Sequence, residues 1–163
     1  MGSRPHNVDL AYIAGFLDGD GSIMLQVKLR GDTKRGVRFM ATICFYQDSR
    51  HEKPLRWIRK VLGIGYVSRR SDGISELRIN GYSQVQGILM QLQPYIRFKK
   101  IQTKALIEAC TILSATHINA LSKKQIRRLV DLTFVIKNEN YVSRSSHTKE
   151  SILSRLKIDP VTT

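Results

Sequence analysis

Two stretches of the chain place apolar side chains at every second position, and this pattern limits the chain to folds that contain an antiparallel sheet. The apolar positions are Ile23, Leu25, Val27 and Leu29 in the first stretch, and Val37, Phe39, Ala41, Ile43 and Phe45 in the second. Successive side chains of a strand point to opposite faces, so each stretch forms one apolar and one polar face. The polar residues 31–36 between them predict a hairpin.

A second hairpin and several helices are predicted around these strands. Residues 64–70 and 74–80 flank Asp72-Gly73, a strong hairpin-turn signal. Ser49 and Glu52 match a capping box. The helices are predicted over residues 8–19 (with Asn7 as N-cap), 54–63, 83–93, 99–115, 122–136 and 148–156. This order predicts an α+β domain with one antiparallel sheet.

The length of 163 residues provides for one domain with a core. We predict a flexible N-terminus over residues 1–6, a single domain over 7–157 and a tail over 158–163. Within the domain, the core spans 8–115 and the C-terminal helices span 116–157.

The charge balance indicates a polyanionic partner. There are 27 Lys and Arg residues against 13 Asp and Glu residues, a net charge of +14. Nucleic acid is the favoured partner, because its phosphates supply most non-specific affinity. An anionic membrane is the competing partner, but the sequence has neither an apolar stretch approaching 18 residues nor a basic amphipathic helix with bulky aromatics opposite. We therefore expect no membrane association.

The cysteines and the first residues bear on the compartment. Cys44 and Cys110 lie in apolar surroundings, and neither has a second Cys at metal spacing, so a disulfide scaffold or zinc site is disfavoured. The first four residues carry no hydrophobic segment of the secretory kind. The expected location is intracellular, in the cytoplasm or nucleoid or in an organelle of the host.

The polar faces of the predicted strands carry side chains that suit nucleic acid. Cations, amides and hydroxyls bond to phosphates and to base edges in the major groove. A solvated sheet face is the alternative, but it would intersperse Lys with Glu. Met40 and Cys44 interrupt the polar row, and contact with thymine methyls would account for them. The predicted DNA-binding set is Gln26, Lys28, Arg30, Arg38, Met40, Thr42, Cys44, Tyr46, Ser68, Arg70, Glu76, Arg78 and Asn80.

The first predicted helix breaks two rules of helix composition. Ala11, Ala14 and Gly15 form a stripe of small residues that admits another backbone closely. Asp18 and Asp20 crowd the C-terminal end, where the helix dipole disfavours acids. A divalent cation such as Mg²⁺ would satisfy both carboxylates, whereas an Asp-Gly turn that only ends the helix explains the pattern equally well.

Residues 13–21, Ile-Ala-Gly-Phe-Leu-Asp-Gly-Asp-Gly, resemble the LAGLIDADG motif of homing endonucleases, with Ile13 for the first Leu and Gly19 where Ala is usual. The alternation of helices and hairpins over residues 8–115 is similar to the whole family domain. The resemblance implies an αββαββα fold whose antiparallel sheet forms a DNA-binding saddle, followed here by additional C-terminal helices.

A single copy of the motif implies, by this resemblance, a homodimer whose motif helices pack through Ala11, Ala14 and Gly15. The resemblance also implies that Asp20 and the Gly19 carbonyl hold Mg²⁺. Mn²⁺ or Ca²⁺ would replace Mg²⁺ for binding, and Ca²⁺ would not support cleavage. Asp18, on the same motif helix, is expected to stabilise a neighbouring helix end instead of binding the ion directly.

Further site residues follow from the same resemblance. Gln47 and Lys99 take the positions of the catalytic polar residue and lysine, with Lys100 as a weaker alternative to Lys99. Arg50 and His51 both stay candidates for a third basic residue.

The implied activity is that of a site-specific endodeoxyribonuclease. The homodimer would bind a long pseudo-palindromic double-stranded DNA site and make a metal-dependent double-strand break with short 3′ overhangs. The alternatives are an RNA maturase that binds intron RNA and a non-cleaving DNA-binding regulator on the same fold. Two explanations stay open for four cations of the C-terminal helices: they contact phosphates outside the core site, or they form a solvated helix face. These cations are Lys123, Lys124, Arg127 and Arg128.

Overall fold

The computed structural model describes residues 6–31, 34–140 and 147–159. The helices in these ranges are α1 (Asn7–Asp20), α2 (Lys53–Leu62), α3 (Tyr82–Leu92), α4 (Lys100–Ala115), α5 (Lys123–Glu139) and α6 (Lys149–Arg155). The strands are β1 (Gly21–Leu29), β2 (Val37–Asp48), β3 (Tyr66–Arg69) and β4 (Ile74–Asn80). Short 3-10 turns lie at Ser49–His51, Gln93–Tyr95 and Ile118–Ala120.

The strands form one antiparallel sheet in the order β1-β2-β4-β3. Ile23 lies opposite Ile43, which lies opposite Ile79, and all three side chains are buried. This apolar row continues the period of two seen in the sequence, because neighbouring residues across strands share a face. The predicted α+β fold with two hairpins is therefore confirmed.

The helices cover the apolar face of the sheet. Leu10, Ile13 and Leu17 of α1 belong to one core cluster with Phe39 and Phe45 of β2. The same cluster continues through α3, α4 and α5. The polar face is left without a helical layer, as expected for an antiparallel sheet that buries only one side.

Local structure departs from the predicted caps at two places. His6 occupies the N-cap of α1, although Asn7 was predicted there. The predicted capping box of Ser49 and Glu52 is wrong, because Ser49 Oγ bonds Ser75 Oγ at 2.9 Å and Glu52 binds Arg56, Arg69 and Ser75. Bonds to Ser75 and Arg69 thus replace the predicted bonds between Ser49 and Glu52. The sequence pattern could not predict this, because these partners lie far along the chain.

The strand predicted from residue 64 begins only at Tyr66. Gly65 precedes it with φ of +102°, and a Cβ on Gly65 would lie 2.8 Å from Leu77 Cδ1. Glycine is required here both for the left-handed backbone and for the close approach to β4.

The C-terminal helices pack on the same core. Ser122 and Gln125 form a capping box at the start of α5. Ile158 is buried and its N–H donates to Leu153 O at 3.0 Å, so the prediction of a tail from residue 158 is wrong for Ile158. Residues 1–5 and 160–163 of the predicted termini lie outside the described residues.

Two of the four cations singled out in the C-terminal helices have partners in the fold. Arg127 donates to the Asp159 carbonyl, and Arg128 forms a salt bridge with Glu108. Lys123 and Lys124 are exposed. Across the described part of the chain, each helix is too short or too polar to cross a lipid bilayer.

Candidate active site and nucleic-acid interface

The end of α1 presents Asp20 to solvent. Asp20 is the last residue of the helix, and the last turn contains no basic residue. Its carboxylate forms no hydrogen bond or salt bridge within the residues that the structure describes. The carbonyls of a helix end also lack intrahelical partners. Negative groups therefore accumulate at this point without a protein cation paired directly to Asp20.

Gly21 joins this helix end directly to β1. Its N–H donates to Leu17 O, and a Cβ on Gly21 would lie 2.5 Å from Leu17 Cδ1 and 2.8 Å from Leu17 Cα. No side chain fits between the helix end and the strand, so the glycine is required by packing. This tight connection fixes Asp20 at the edge of the sheet.

Asp18 stabilises the neighbouring helix end, as the resemblance implied. Its carboxylate accepts N–H bonds from Arg97 at 2.6 Å, Phe98 at 3.1 Å and Lys99 at 3.0 Å, immediately before α4 begins. An acid at a helix N-terminus also suits the helix dipole. The side chain is buried in its own chain, so Asp18 belongs to the motif helix but offers no surface for a dimer contact.

Lys99 is held next to the acids of α1. Its ammonium donates to the backbone carbonyl of Asp18. Burial lowers the pKa of Lys99, while the charges of Asp18 and Asp20 act in the opposite direction. Lys100 is exposed and lacks these contacts. Lys99, and not Lys100, is therefore the cation that the fold holds beside Asp18 and Asp20.

Gln47 lies near the end of β2, beside the start of β1. Gly21 pairs with Phe45, so β2 extends past the last turn of α1 and carries Gln47 there. Gln47 is half-buried, and its Oε1 accepts the Asp48 N–H at 2.9 Å. The amide nitrogen has no bond to any residue that the structure describes, so the side chain keeps donors for a further partner.

The two candidates for a third basic residue differ in their surroundings. Arg50 binds Asp48 through its backbone N–H, Nε and Nη2. These bonds hold the pKa of the Asp48 carboxyl well below its usual value. His51 is exposed at the end of the 3-10 turn. The acid that holds Arg50 was missed in the sequence, where an Asp two residues before an Arg is not distinctive.

The polar face of the sheet collects most of the predicted DNA-binding residues in adjacent rows. Lys28 lies opposite Arg38 and Gln26 opposite Met40 on β1 and β2. Tyr46 lies opposite Glu76, which lies opposite Ser68. Like charges placed directly opposite destabilise a sheet, so Lys28 and Arg38, both exposed, form a surface that favours an anion above it.

Not every predicted residue of this face is accessible. Thr42 and Cys44 lie in the row, but both have 0% exposure. Thr42 Oγ1 donates to Asn80 Oδ1 at 2.8 Å, and burial raises the pKa of the Cys44 thiol. The prediction that these two side chains contact DNA directly is therefore wrong, because neither exposes any surface. Glu76 is also buried and forms a salt bridge with Arg78.

The remaining members of the predicted set lie at the ends of strands. Arg70 is exposed and binds Asp72 across the turn, and Asn80 is exposed at the end of β4. Arg30 is exposed just after β1. Tyr66, 50% exposed and opposite Arg78 on the same face, was missed. The period of two that selected Ser68 also selects Tyr66, so the signal was present.

The exposed side of α1 is narrower than predicted. Ala11 and Gly15 are exposed, and a Cβ added to Gly15 would meet nothing within 4 Å. Ala14 has 0% exposure and packs in the core of its own chain, so placing Ala14 on a dimer surface is wrong. Tyr12 flanks the small residues and is 59% exposed, with its ring 5.6 Å from that of Trp57.

The donors at the end of α1 suit a hard divalent cation that keeps most of its water. Within the described residues no group of three or more His, Cys, Asp or Glu side chains converges. One carboxylate with a helix carbonyl fits Mg²⁺, which is commonly bound through one or two carboxylates and several waters. It does not fit zinc, which prefers four nitrogen or sulfur ligands.

Relatives with solved structures share this architecture. I-CvuI, solved in complex with the I-CreI target in the presence of magnesium with the DNA not cleaved, superposes with a TM-score of 0.84 and 26% identity, covering 92% of this chain and 93% of that one. The archaeal intron-encoded homing endonuclease I-Vdi141I, solved with DNA, has a TM-score of 0.82 at 20% identity, covering 93% and 96%, and supports the fold.

Sequence comparison agrees with the structural comparison. DNA endonuclease I-CvuI from Chlorella vulgaris is 34% identical over 98 residues, which span 60% of this chain and 61% of that protein. DNA endonuclease I-CreI from Chlamydomonas reinhardtii is 24% identical over 156 residues, 96% of this chain and 95% of that protein.

The family itself is established by a match that covers more than half of the chain. Residues 13–110 match the LAGLIDADG endonuclease family. The predicted family, fold class and enzyme class are thereby confirmed, since the named relatives are DNA endonucleases. The chain belongs to the LAGLIDADG endonuclease family.

Proposed function

We propose that this chain is a homing endonuclease that acts as a homodimer on a long, pseudo-palindromic DNA site and cuts both strands, leaving short 3′ overhangs. The observation that carries the proposal is the exposed Asp20 carboxylate at the end of α1, with Lys99 held beside it. An acid at a negative helix end is unfavourable unless a cation compensates it.

Asp20 and the Gly19 carbonyl would hold the metal, with Mg²⁺ as the proposed ion. When bound, Mg²⁺ would stabilise charge on the phosphodiester and lower the pKa of a bound water. Lys99 would place a positive charge near the phosphate, and the Gln47 amide would orient water from the end of β2. Solved structures of I-CvuI with DNA in the presence of magnesium or calcium support divalent metal use.

The sheet would provide sequence recognition. Gln26, Lys28, Arg38 and Tyr46 are at least partly accessible on one face, and their amide, cationic and hydroxyl groups suit phosphates and base edges. Burial of Thr42 and Cys44 restricts direct reading to the longer side chains around them. Contacts with phosphates would fix the position of the protein on the DNA duplex, while contacts with base edges would carry sequence specificity.

The dimer would form through the exposed side of α1. A two-fold interface brings the same surface of both copies together, and Ala11 and Gly15 leave room for close backbone approach. The pairing would place two Asp20 residues side by side, one for each DNA strand. A palindromic arrangement of the DNA site follows from this symmetry.

The test separates binding from cutting. Duplex sites are first selected from a randomised pseudo-palindromic library by binding to Asp20→Asn, and the selected sites are then offered to the wild-type chain with Mg²⁺ or with EDTA. We expect Mg²⁺-dependent double-strand breaks by the wild-type chain. Asp20→Asn should keep its binding affinity and cut at least roughly 10² to 10³ times more slowly.

Asp9→Asn is the matched control, since it removes an acid from the opposite end of the same helix. It should cut at the wild-type rate. Tight binding without any cutting by the wild-type chain would contradict the proposal and favour a maturase or a DNA-binding regulator.

A further inference from the structure

A cavity of about 270 Å³ lies between the 3-10 turn Gln93–Tyr95 and the first turns of α4. Besides two apolar residues, it is lined by Gln93, Arg97, Lys100, Thr103 and Lys104. Small-molecule ligand sites usually span roughly 300 to 1,000 Å³, so this cavity suits a small polar group with its water. No role in DNA cleavage assigned above uses this cavity.

The charge around the cavity is entirely positive. Arg97, Lys100 and Lys104 line it, and none of its lining residues is acidic. Within the described part of the chain, these three cations form no salt bridge. Three unpaired cations around one concave site repel one another unless an anion lies between them.

Thr103 supplies an independent observation that points to a ligand. Its side chain is fully buried, and its Oγ1 has no hydrogen-bond partner among the described residues. Helical threonines commonly bond the carbonyl four residues earlier, and Thr111 and Thr133 do so at 2.9 Å and 2.8 Å. Thr103 does not. An unpaired buried hydroxyl costs roughly 1 to 3 kcal/mol, which a bound acceptor would remove.

The start of α4 adds backbone donors next to the cavity. The first N–H groups of a helix lack intrahelical acceptors, and the helix dipole favours an anion there. The Asp18 carboxylate takes the N–H groups of Arg97, Phe98 and Lys99, so it satisfies only the donors that precede the helix. The N–H groups of residues 100–102 follow it, on the turn that carries Lys100 and Thr103.

We propose that this cavity is a binding site for a phosphate group, held by Arg97, Lys100 and Lys104 with the Thr103 hydroxyl as a further donor. The phosphate would come either from free inorganic phosphate or from a nucleic-acid backbone, and both present the same tetrahedral oxyanion. The proposal does not depend on DNA cleavage, because Asp20, Gln47 and Lys99 do not line the cavity.

The first arm of the test uses inorganic phosphate and the full chain. Calorimetric titration is carried out in phosphate-free buffer on the wild-type chain, Thr103→Val and the double variant Lys100→Gln/Lys104→Gln. We expect one phosphate per wild-type chain and affinity at least about tenfold lower in both variants. Lys53→Gln/Lys60→Gln is the matched control, because it removes two exposed charges of α2 that do not line the cavity, and it should bind phosphate normally.

The second arm uses a DNA duplex of unrelated sequence, titrated by fluorescence anisotropy. A loss of affinity in Lys100→Gln/Lys104→Gln that exceeds the loss in the control variant, without binding of free phosphate, would assign the site to a nucleic-acid phosphate. Binding of free phosphate that depends on the cavity residues would assign it to the free anion. Equal behaviour of all variants in both arms would overturn the proposal.

Unfolding of Thr103→Val without phosphate provides a separate check on the buried hydroxyl. Removal of an unpaired hydroxyl should leave the melting temperature unchanged or raise it. Adding phosphate should stabilise the wild-type chain more than the variant. A variant that is less stable without phosphate would show that the hydroxyl already has a structural partner, and the argument from Thr103 would fail.

Discussion

Asp18 and Lys99 bind each other twice: the Lys99 N–H donates to the Asp18 carboxylate at 3.0 Å, and the Lys99 ammonium donates to the Asp18 backbone carbonyl. These bonds join the last turn of α1 to the first turn of α4. They also fix the Lys99 charge close to Asp20. One acid of the motif is thus fully bonded within the fold, while the other, Asp20, is exposed.

The substitution Asp18→Ala should destabilise the fold by about 2 to 3 kcal/mol, because it leaves three backbone N–H groups without their acceptor. Urea-induced unfolding measures this difference. Asp18→Asn should lose less stability, since its amide oxygen still accepts hydrogen bonds from the backbone N–H groups. Asp9→Ala, which lies in the first turn of the same helix, should lose less than about 1 kcal/mol. Equal stability of Asp18→Ala and the wild-type chain would refute the capping role.

The substitution Gly15→Ala should weaken the proposed dimer at least about tenfold, since an added methyl overpacks a close backbone contact. Within one chain the methyl meets nothing within 4 Å, so the monomer should not lose stability. Sedimentation equilibrium measures the dissociation constant. Gly87→Ala in α3 is the control, because it too meets nothing within 4 Å. An unchanged dimer in Gly15→Ala would remove this helix face from the interface.

The double substitution Lys28→Gln/Arg38→Gln should reduce the salt dependence of DNA binding. If each side chain neutralises one phosphate, the slope of log affinity against log salt becomes shallower by about 2 per chain. Anisotropy titrations of one duplex at several KCl concentrations measure the slope. Lys53→Gln/Lys60→Gln carries the same charge change on two exposed residues of α2, where no phosphate contact was predicted. An identical slope in both double variants would mean that the sheet charges act only through net charge.

The substitution Glu52→Gln should make the fold less sensitive to acid. Hydrogen bonds from Arg69, Arg56 and Ser75 lower the pKa of Glu52 to about 2, against an ordinary value of 4.5. A depressed carboxyl pKa stabilises the fold above about pH 4.5, and this contribution is lost as the pH falls towards 2. The variant should melt a few degrees lower at pH 7, and the difference should shrink between pH 4.5 and pH 2.

Thermal melting across this pH range measures the effect. Glu108→Gln is the control, because both side chains of the Glu108–Arg128 salt bridge are about half exposed and exposed pairs contribute little. A difference between wild type and Glu52→Gln that stays constant with pH would show that the carboxylate charge is not responsible.

Much of the fold was predictable because strand periodicity is local. The alternation around Ile23 and Ile43 identified the face that packs on the helices, and the register follows it through Ile79. The motif from Ile13 to Gly21 likewise identified the helix with its exposed acid. These features depend on side chains close together in the chain, and their order is visible in the sequence.

The tertiary structure alone decided which of these side chains are accessible and which are paired. Lys99 is distinguished from Lys100 by its contact with Asp18, 81 residues away. Ala14 packs in the core of its own chain, and Thr42 and Cys44 are fully buried. The sequence alone determined the apolar and polar faces of the strands and the motif of the first helix. Burial and pairing depend on atoms from distant segments of the chain, so only the fold decided which of these side chains reach solvent.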